Sequence, residues 1–156
     1  MQQGANSTIL HLAYDSRKIQ FADTSLFFLL SAGNNGQLFI EDAYRKGVRH
    51  FVVGWEVNRE ALHNSNIILV QDVLNALQMV ATHHRQQFGL PVIGITGSNG
   101  KTVVKEWLYQ LLQRDENIVR SPKSYNSQIG VPLSVWQLNA QHTLALFEAG
   151  ISKKGE

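Results

Sequence analysis

The stretch Gly94 to Thr102 reads G-I-T-G-S-N-G-K-T, directly after the apolar Pro91-Val92-Ile93 and directly before a run of helical periodicity. A sharp glycine-rich turn from strand into helix constrains the fold more than anything else in the chain. It aims the helix's first free N–H groups, and the positive end of its dipole, at one small volume. Phosphate suits that volume. Glycines at 94, 97 and 100 permit close backbone approach, the Lys101 ammonium can reach terminal phosphates, and the Thr102 hydroxyl can ligate magnesium. The usual pattern G-x-x-x-x-G-K-[ST] asks for a glycine where Ile95 stands, so the spacing is one residue off the common one. A purely structural turn is the competing reading, and the Lys-Thr pair between two matching elements argues against it.

The rest of the chain narrows the setting. Its 156 residues can bury one good core or two small ones, and 44% hydrophobic with 17% charged residues excludes a disordered or fibrous chain. The net charge of +2 is spread without a basic block, so no nucleic-acid partner is expected. With no cysteine there is neither a disulfide framework nor a thiolate metal site. The start M-Q-Q-G-A-N-S-T lacks the regions of a secretory signal, and a cytoplasmic location is expected. The longest apolar run, Leu26 to Leu30, is far short of the roughly 20 residues that cross a bilayer, so no membrane span is expected. Oligomeric state is not fixed by the sequence.

Short apolar runs alternate with amphipathic stretches, which predicts an α/β fold with parallel strands. Strands are expected at Leu26–Leu30, Arg49–Gly54, Ile67–Val70, Val92–Ile95, Ile118–Val119 and Thr143–Phe147. Helices are expected at Gln37–Lys46, behind an Asp72 cap, and from Lys101 to Gln113. The last of these presents Val103, Val104, Trp107, Leu108, Leu111 and Leu112 as its apolar face, and Trp107 and Trp136 are expected in the core. Phe88-Gly89-Leu90-Pro91 ends a helix and suggests a boundary between a small α/β domain at 1–89 and the start of a P-loop parallel-sheet domain at 90–156. The roughly 65 residues of the second part are fewer than an open doubly wound sheet normally needs, so a longer parent protein is expected. His83 and His84 are adjacent on a helix and point apart, which argues against a shared metal.

Several stretches, in order, resemble the Mur ligases, the ATP-dependent amide-forming enzymes of peptidoglycan synthesis. T-G-S-N-G-K-T looks like their nucleotide loop, which has G-x-x-G-x-x-G-K-T spacing. Y-N-S-Q-I-G-V-P-L (Tyr125 to Leu133) is similar to the family's N-x-x-I-G-V-P-L segment, and F-E-A-G-I-S-K-K-G-E (Phe147 to Glu156) to its E-x-G-x-x-x-x-G-E segment. Asp15-Ser16-Arg17-Lys18 resembles the D-S-R motif of the amino-terminal domain. The block L-F-F-L-L-S-A-G-N-N-G-Q is similar to another, although Asn35-Gly36-Gln37 replaces the frequent D-G-H and removes a carboxylate and an imidazole.

The resemblance implies that Gly97, Ser98, Asn99, Gly100, Lys101 and Thr102 bind ATP, with Lys101 catalytic, and that Thr102 and Glu148 hold Mg2+. Ser16, Arg17, Gly36, Asn126 and Ser127 would then face the substrate. Arg17 suits a diphosphate, since a guanidinium binds paired oxyanions in a bidentate way. Within the family the likeness is greatest to members that join D-alanyl-D-alanine to UDP-N-acetylmuramoyl-tripeptide. K-T-V-V-K-E-W-L-Y-Q-L-L and S-Y-N-S-Q-I-G-V-P-L-S-V-W-Q-L look like the version fused to a carboxy-terminal alanine racemase, which would bring pyridoxal phosphate. Family members also use a later histidine, a carbamylated lysine, adenine-holding residues and a third domain. None lies within the 156 residues, so these residues alone are not expected to turn over. Another Mur or folate-type amide ligase, and a non-catalytic nucleotide-binding module, remain alternatives.

Overall fold

The computed structural model describes residues 7–31 and 33–151, with residues 33–35 by backbone only. The chain forms two compact units, one ending at Ala76 and the other beginning at Leu77. The first contains β1 (His11–Ala13), β2 (Ser25–Phe28), α1 (Gly33–Arg45), β3 (His50–Val53) and β4 (Asn66–Leu69). Helix α2 (Val73–Gln86) starts in it. The second contains β5 (Val92–Ile95), α3 (Lys101–Leu112), β6 (Ile118–Arg120), α4 (Gly130–Val135) and β7 (Leu144–Glu148).

In the first unit all pairings are parallel, in the order β1-β2-β3-β4. The central strands β2 and β3 read as continuous apolar runs because both their faces are covered, as buried parallel strands require. Phe27, Phe28, Phe51 and Val53 have no exposed surface. Helix α1 adds Ile40 and Ala43 to this core, and the Phe27 and Phe51 rings meet edge-on at 6.2 Å. Burying each such side chain stabilises the unit by about 1.5–3 kcal/mol before entropy is counted. Leu38 of α1 is exposed. The inward face runs through Ile40 and Ala43, with Phe39 and Tyr44 partly buried at its edges. Strand β1, only three residues long and partly exposed, has no apolar run to announce it.

His50 on β3 is buried between two polar neighbours. Its Nδ1 faces the Asn66 amide nitrogen at 3.0 Å and its Nε2 pairs with the Ser7 hydroxyl. An amide N–H can only be accepted by an unprotonated Nδ1, so this arrangement selects the neutral ring. Burial also holds the His50 pKa below the ordinary 6.5. A depressed histidine pKa means that the unfolded chain takes up the proton first, so stability is full above 6.5 and declines as pH falls from there through the folded value. Urea midpoints measured between about pH 7.5 and pH 5 should fall with acidity, and His50→Gln should flatten that slope.

In the second unit the strand order is β5-β7-β6, again all parallel. All five residues of the central strand β7 are buried. Asp72 caps α2 as expected, its Oδ1 accepting the Asn75 N–H at 2.9 Å. Val119, Leu138, Ala145 and Phe147 form a core flanked by Phe88, Leu90 and Val135. The apolar face expected for α3 does not face this core. Val103, Val104, Trp107 and Leu111 are all exposed, Trp107 by 65%. Apolar residues cover about half the helix circumference, more than one sheet can hide. The less exposed side carries Lys101, Thr102, Lys105, Leu108 and Leu112, and from it Thr102 and Lys105 meet Glu148 of β7. Trp136 is half-buried and packs at a tilt against the His84 ring, with centroids 4.5 Å apart, while His84 Nε2 lies 2.9 Å from the Leu138 carbonyl. His84 is thus spent on packing and His83 is exposed.

Candidate phosphate-binding site

Parallel register brings three segments to one edge of the second sheet. Ile95 pairs with Glu148 and Arg120 with Leu146, so the glycine-rich loop, Glu148 and the Ser121–Lys123 turn all emerge at the carboxyl ends of their strands. Open parallel sheets bind ligands at this edge. The loop enters α3 through Gly100, whose φ of 78° is left-handed and strains any residue with a Cβ. Helix α3 runs for 12 residues with no acidic side chain in its first turn, so nothing in that turn offsets its positive end.

Lys101 leans back over the loop, its Nζ donating to the Gly97 carbonyl at 2.5 Å. The ammonium is partly exposed and stands at the mouth of the loop. Ser98 and Asn99 form the exposed tip. At the next residue of the helix, Thr102 Oγ1 donates to Glu148 Oε2 at 3.0 Å. The two residues expected to hold magnesium, 46 positions apart in sequence, are therefore in direct contact.

Sequence reasoning missed Lys105. Its side chain and that of Glu148 have no exposed surface, and Nζ lies 2.8 Å from Glu148 Oε1. The same ammonium donates to the carbonyls of Ser121 at 2.7 Å and Lys123 at 2.5 Å. Glu148 is anchored at its backbone too, where its N–H donates to Ser121 Oγ at 3.1 Å. Glu106 approaches Lys105 from the outer side at 3.3 Å and pairs with Arg120, whose guanidinium lies 3.5 Å above the Tyr109 ring. The available signal was position: Lys105 follows Lys101 by four residues and so shares its helix face.

These residues fit a magnesium ion. Glu148 turns Oε1 to the Lys105 ammonium at 2.8 Å and Oε2 to Thr102 Oγ1 at 3.0 Å, and a carboxylate oxygen that accepts one donor keeps a lone pair to offer. Thr102 supplies a hydroxyl oxygen beside it. Hard oxygen donors suit Mg2+, which characteristically keeps several waters and takes one or two protein ligands plus substrate phosphates. Among the described residues there is no group of three acidic or histidine side chains able to hold a metal without such help.

The substrate-side candidates fall in both units. In the second, Asn126 and Ser127 line a cavity of about 510 Å³ with Thr82 and Arg85 of α2, Pro132 of α4 and Gly150. The Asn126 carbonyl accepts from Gly150 N–H at 2.6 Å, and Ser127 Oγ accepts from Gly130 N–H at 3.1 Å at the start of α4. In the first unit, Ser16 to Lys18 form a 3-10 turn capped by Asp15. The Arg17 guanidinium grips Asp15 through two bonds of 2.9 Å and holds its carboxyl below the usual range, yet Arg17 itself is 76% exposed. Ser16 is buried, and its carbonyl accepts from Lys46 at 2.8 Å. Gly36 is buried on α1, and a Cβ there would lie 2.4 Å from the Ser31 carbonyl and 2.8 Å from the Trp55 ring. That gives Gly36 a packing reason independent of any ligand. The Asn35 side chain and residues 152–156, which end the F-E-A-G-I-S-K-K-G-E stretch, lie outside the described residues.

A parallel sheet with a glycine-rich loop, a lysine and a threonine at its carboxyl edge defines a P-loop α/β protein. The particular likeness is narrower: the chain is similar to the Mur ligases. Residues 95–156 match the Mur ligase middle domain. The UDP-N-acetylmuramoyl-tripeptide–D-alanyl-D-alanine ligase of Bacillus subtilis is 36% identical over 152 residues, covering 96% of this chain and 32% of the relative. A MurF crystal structure from Acinetobacter baumannii superposes with a TM-score of 0.82 at 27% identity, over 95% of this chain and 32% of that one. The MurF ligase from Thermotoga maritima, solved in complex with ADP, gives 0.75 at 26% identity, over 92% of this chain and 32% of that one. The chain thus spans about a third of the length of the relatives it matches. Among the described residues no helix is long and apolar enough to cross a membrane.

Proposed function

We propose that the full-length protein is an ATP-dependent ligase of peptidoglycan precursor synthesis that adds D-alanyl-D-alanine to UDP-N-acetylmuramoyl-tripeptide. The observation that carries this reading is the contact between Thr102 and Glu148 beside Lys101, at the carboxyl edge of a parallel sheet, in a chain similar over nearly its whole length to ligases of that name. In the proposed reaction the tripeptide's terminal carboxylate attacks the γ-phosphorus of ATP and ADP leaves. The amine of D-alanyl-D-alanine then attacks the acyl phosphate, an amide forms, and inorganic phosphate departs with loss of the amine proton.

Little covalent chemistry falls to the protein in phosphoryl transfer, and positioning with charge neutralisation does the rest. Gly97 to Gly100 direct backbone N–H groups at the phosphates. Lys101 exchanges its bond to the Gly97 carbonyl for phosphate oxygens. Thr102 and Glu148 would hold the magnesium ion, which when bound neutralises charge on the β- and γ-phosphates. Asn126 and Ser127, on the wall of the second unit's cavity, would meet the muramoyl-peptide part. Ser16, Arg17 and Gly36 belong to the 1–89 region proposed to take the uridine nucleotide, where the exposed guanidinium would meet a diphosphate with the N–H groups it does not give to Asp15. These substrates put the reaction in the cytoplasm. The likeness to racemase-fused members adds the proposal that a pyridoxal-phosphate domain accompanies this one.

Phosphate release by the full-length protein, with UDP-N-acetylmuramoyl-tripeptide and ATP, tests the assignment. Release is expected with D-alanyl-D-alanine and not with single amino acids; the opposite preference would move the protein to another branch of the family.

A further inference from the structure

A buried lysine is uncommon, and Lys105 is completely enclosed with four oxygen neighbours: Glu148 Oε1, Glu106 Oε1 and the carbonyls of Ser121 and Lys123. Two of these neighbours need it. Glu148 is as deeply enclosed as Lys105, and an isolated buried carboxylate is costly in a low-dielectric interior. Lys123 is one of two described non-glycine residues with positive φ, at 50°, a conformation its side chain disfavours. The ammonium's bond to the Lys123 carbonyl pins that turn, and its bond to Ser121 secures the residue whose hydroxyl accepts from the Glu148 N–H.

We infer that Lys105 is a positioning residue for the metal site: it fixes the Glu148 carboxylate and the Ser121–Lys123 turn so that Glu148 and Thr102 present their oxygens together at the edge of the phosphate loop. This rests on the reading of Thr102 and Glu148 as magnesium ligands. Lys105 touches no phosphate in this arrangement, because its ammonium is consumed on the inner side of Glu148 while Thr102 contacts Oε2. Its influence on nucleotide binding should therefore pass through the metal. Glu106, bound in turn by Arg120, balances the remaining charge around the ammonium.

The test is a titration of a fluorescent ADP analogue into the full-length protein, in EDTA and over a range of Mg2+ concentrations. In Lys105→Met the Mg2+ concentration giving half the enhancement of binding should rise about tenfold or more, while affinity in EDTA stays within about twofold. Lys105→Gln, which keeps two N–H donors but neither the charge nor the full reach, serves where the methionine variant fails to fold and should show the same split. Equal loss of affinity with and without Mg2+ would overturn the inference, since a merely structural lysine weakens both. So would an unchanged Mg2+ requirement in a folded variant. If Mg2+ leaves ADP binding by the unsubstituted protein unaltered, the metal assignment itself fails and takes the inference with it, an outcome visible before any variant is made.

Discussion

Lys101→Ala in the full-length protein should reduce ATP-dependent ligation at least about a hundredfold, read as phosphate release at saturating substrates. In the proposed reaction charge builds on the γ-phosphate oxygens, and Lys101 is the side chain proposed to meet it. The helix end and the loop N–H groups remain in the variant, so ATP binding should weaken less than turnover. Its present partner, the Gly97 carbonyl, lies on an exposed loop and can turn to water, so folding should be little affected. A melting temperature close to that of the unsubstituted protein would separate lost chemistry from lost structure. Ligation that survives unaltered would overturn the loop assignment.

Much of this site was legible because its parts are local. A strand, a glycine turn and a Lys-Thr pair lie within a dozen residues, and the physics of a helix amino terminus makes them readable without a fold. Glu148 was legible only through the company of other motifs. What brings it to Thr102 is the β5-β7-β6 order, in which the last strand inserts between the other two, and short-range periodicity carries no information about strand order. The same limit explains α3. Its apolar residues span a wide arc, and the sequence gives no means of choosing which part meets the sheet. Four of the six residues expected to be buried are exposed, and an expectation built on apolar residues alone hides Lys105, a charge with no exposed surface. In the first unit the buried strands β2 and β3 announced themselves by composition, whereas β1 is too short and too exposed to do so. Gly36 shows a different limit: a Cβ there would meet the Ser31 carbonyl and also the Trp55 ring, which tertiary structure brings against α1.

The Glu148→Ala variant should be the most damaging to stability, by about 3–5 kcal/mol, because removing one partner of a buried pair strands the other. Lys105 would keep its two carbonyl acceptors and Glu106, which offsets part of the loss and favours the lower end of that range. The alternative, that Lys105 swings out to solvent, would abandon the Ser121 and Lys123 carbonyls instead, so either response leaves buried polar groups without partners. Glu148→Gln separates the two components of the loss. It keeps the side-chain shape and can still accept from Thr102, but it removes the charge that balances the ammonium, so it should cost less than the alanine. Pairing Glu148→Gln with Lys105→Met removes both charges, and stability measured by urea unfolding should then recover relative to Lys105→Met alone. Mg2+-dependent nucleotide binding should not recover, because the carboxylate is gone. If Glu148→Ala unfolds at the same urea concentration as the unsubstituted protein, the enclosed Lys105–Glu148 pair is not what holds β7 to α3 and the turn after β6.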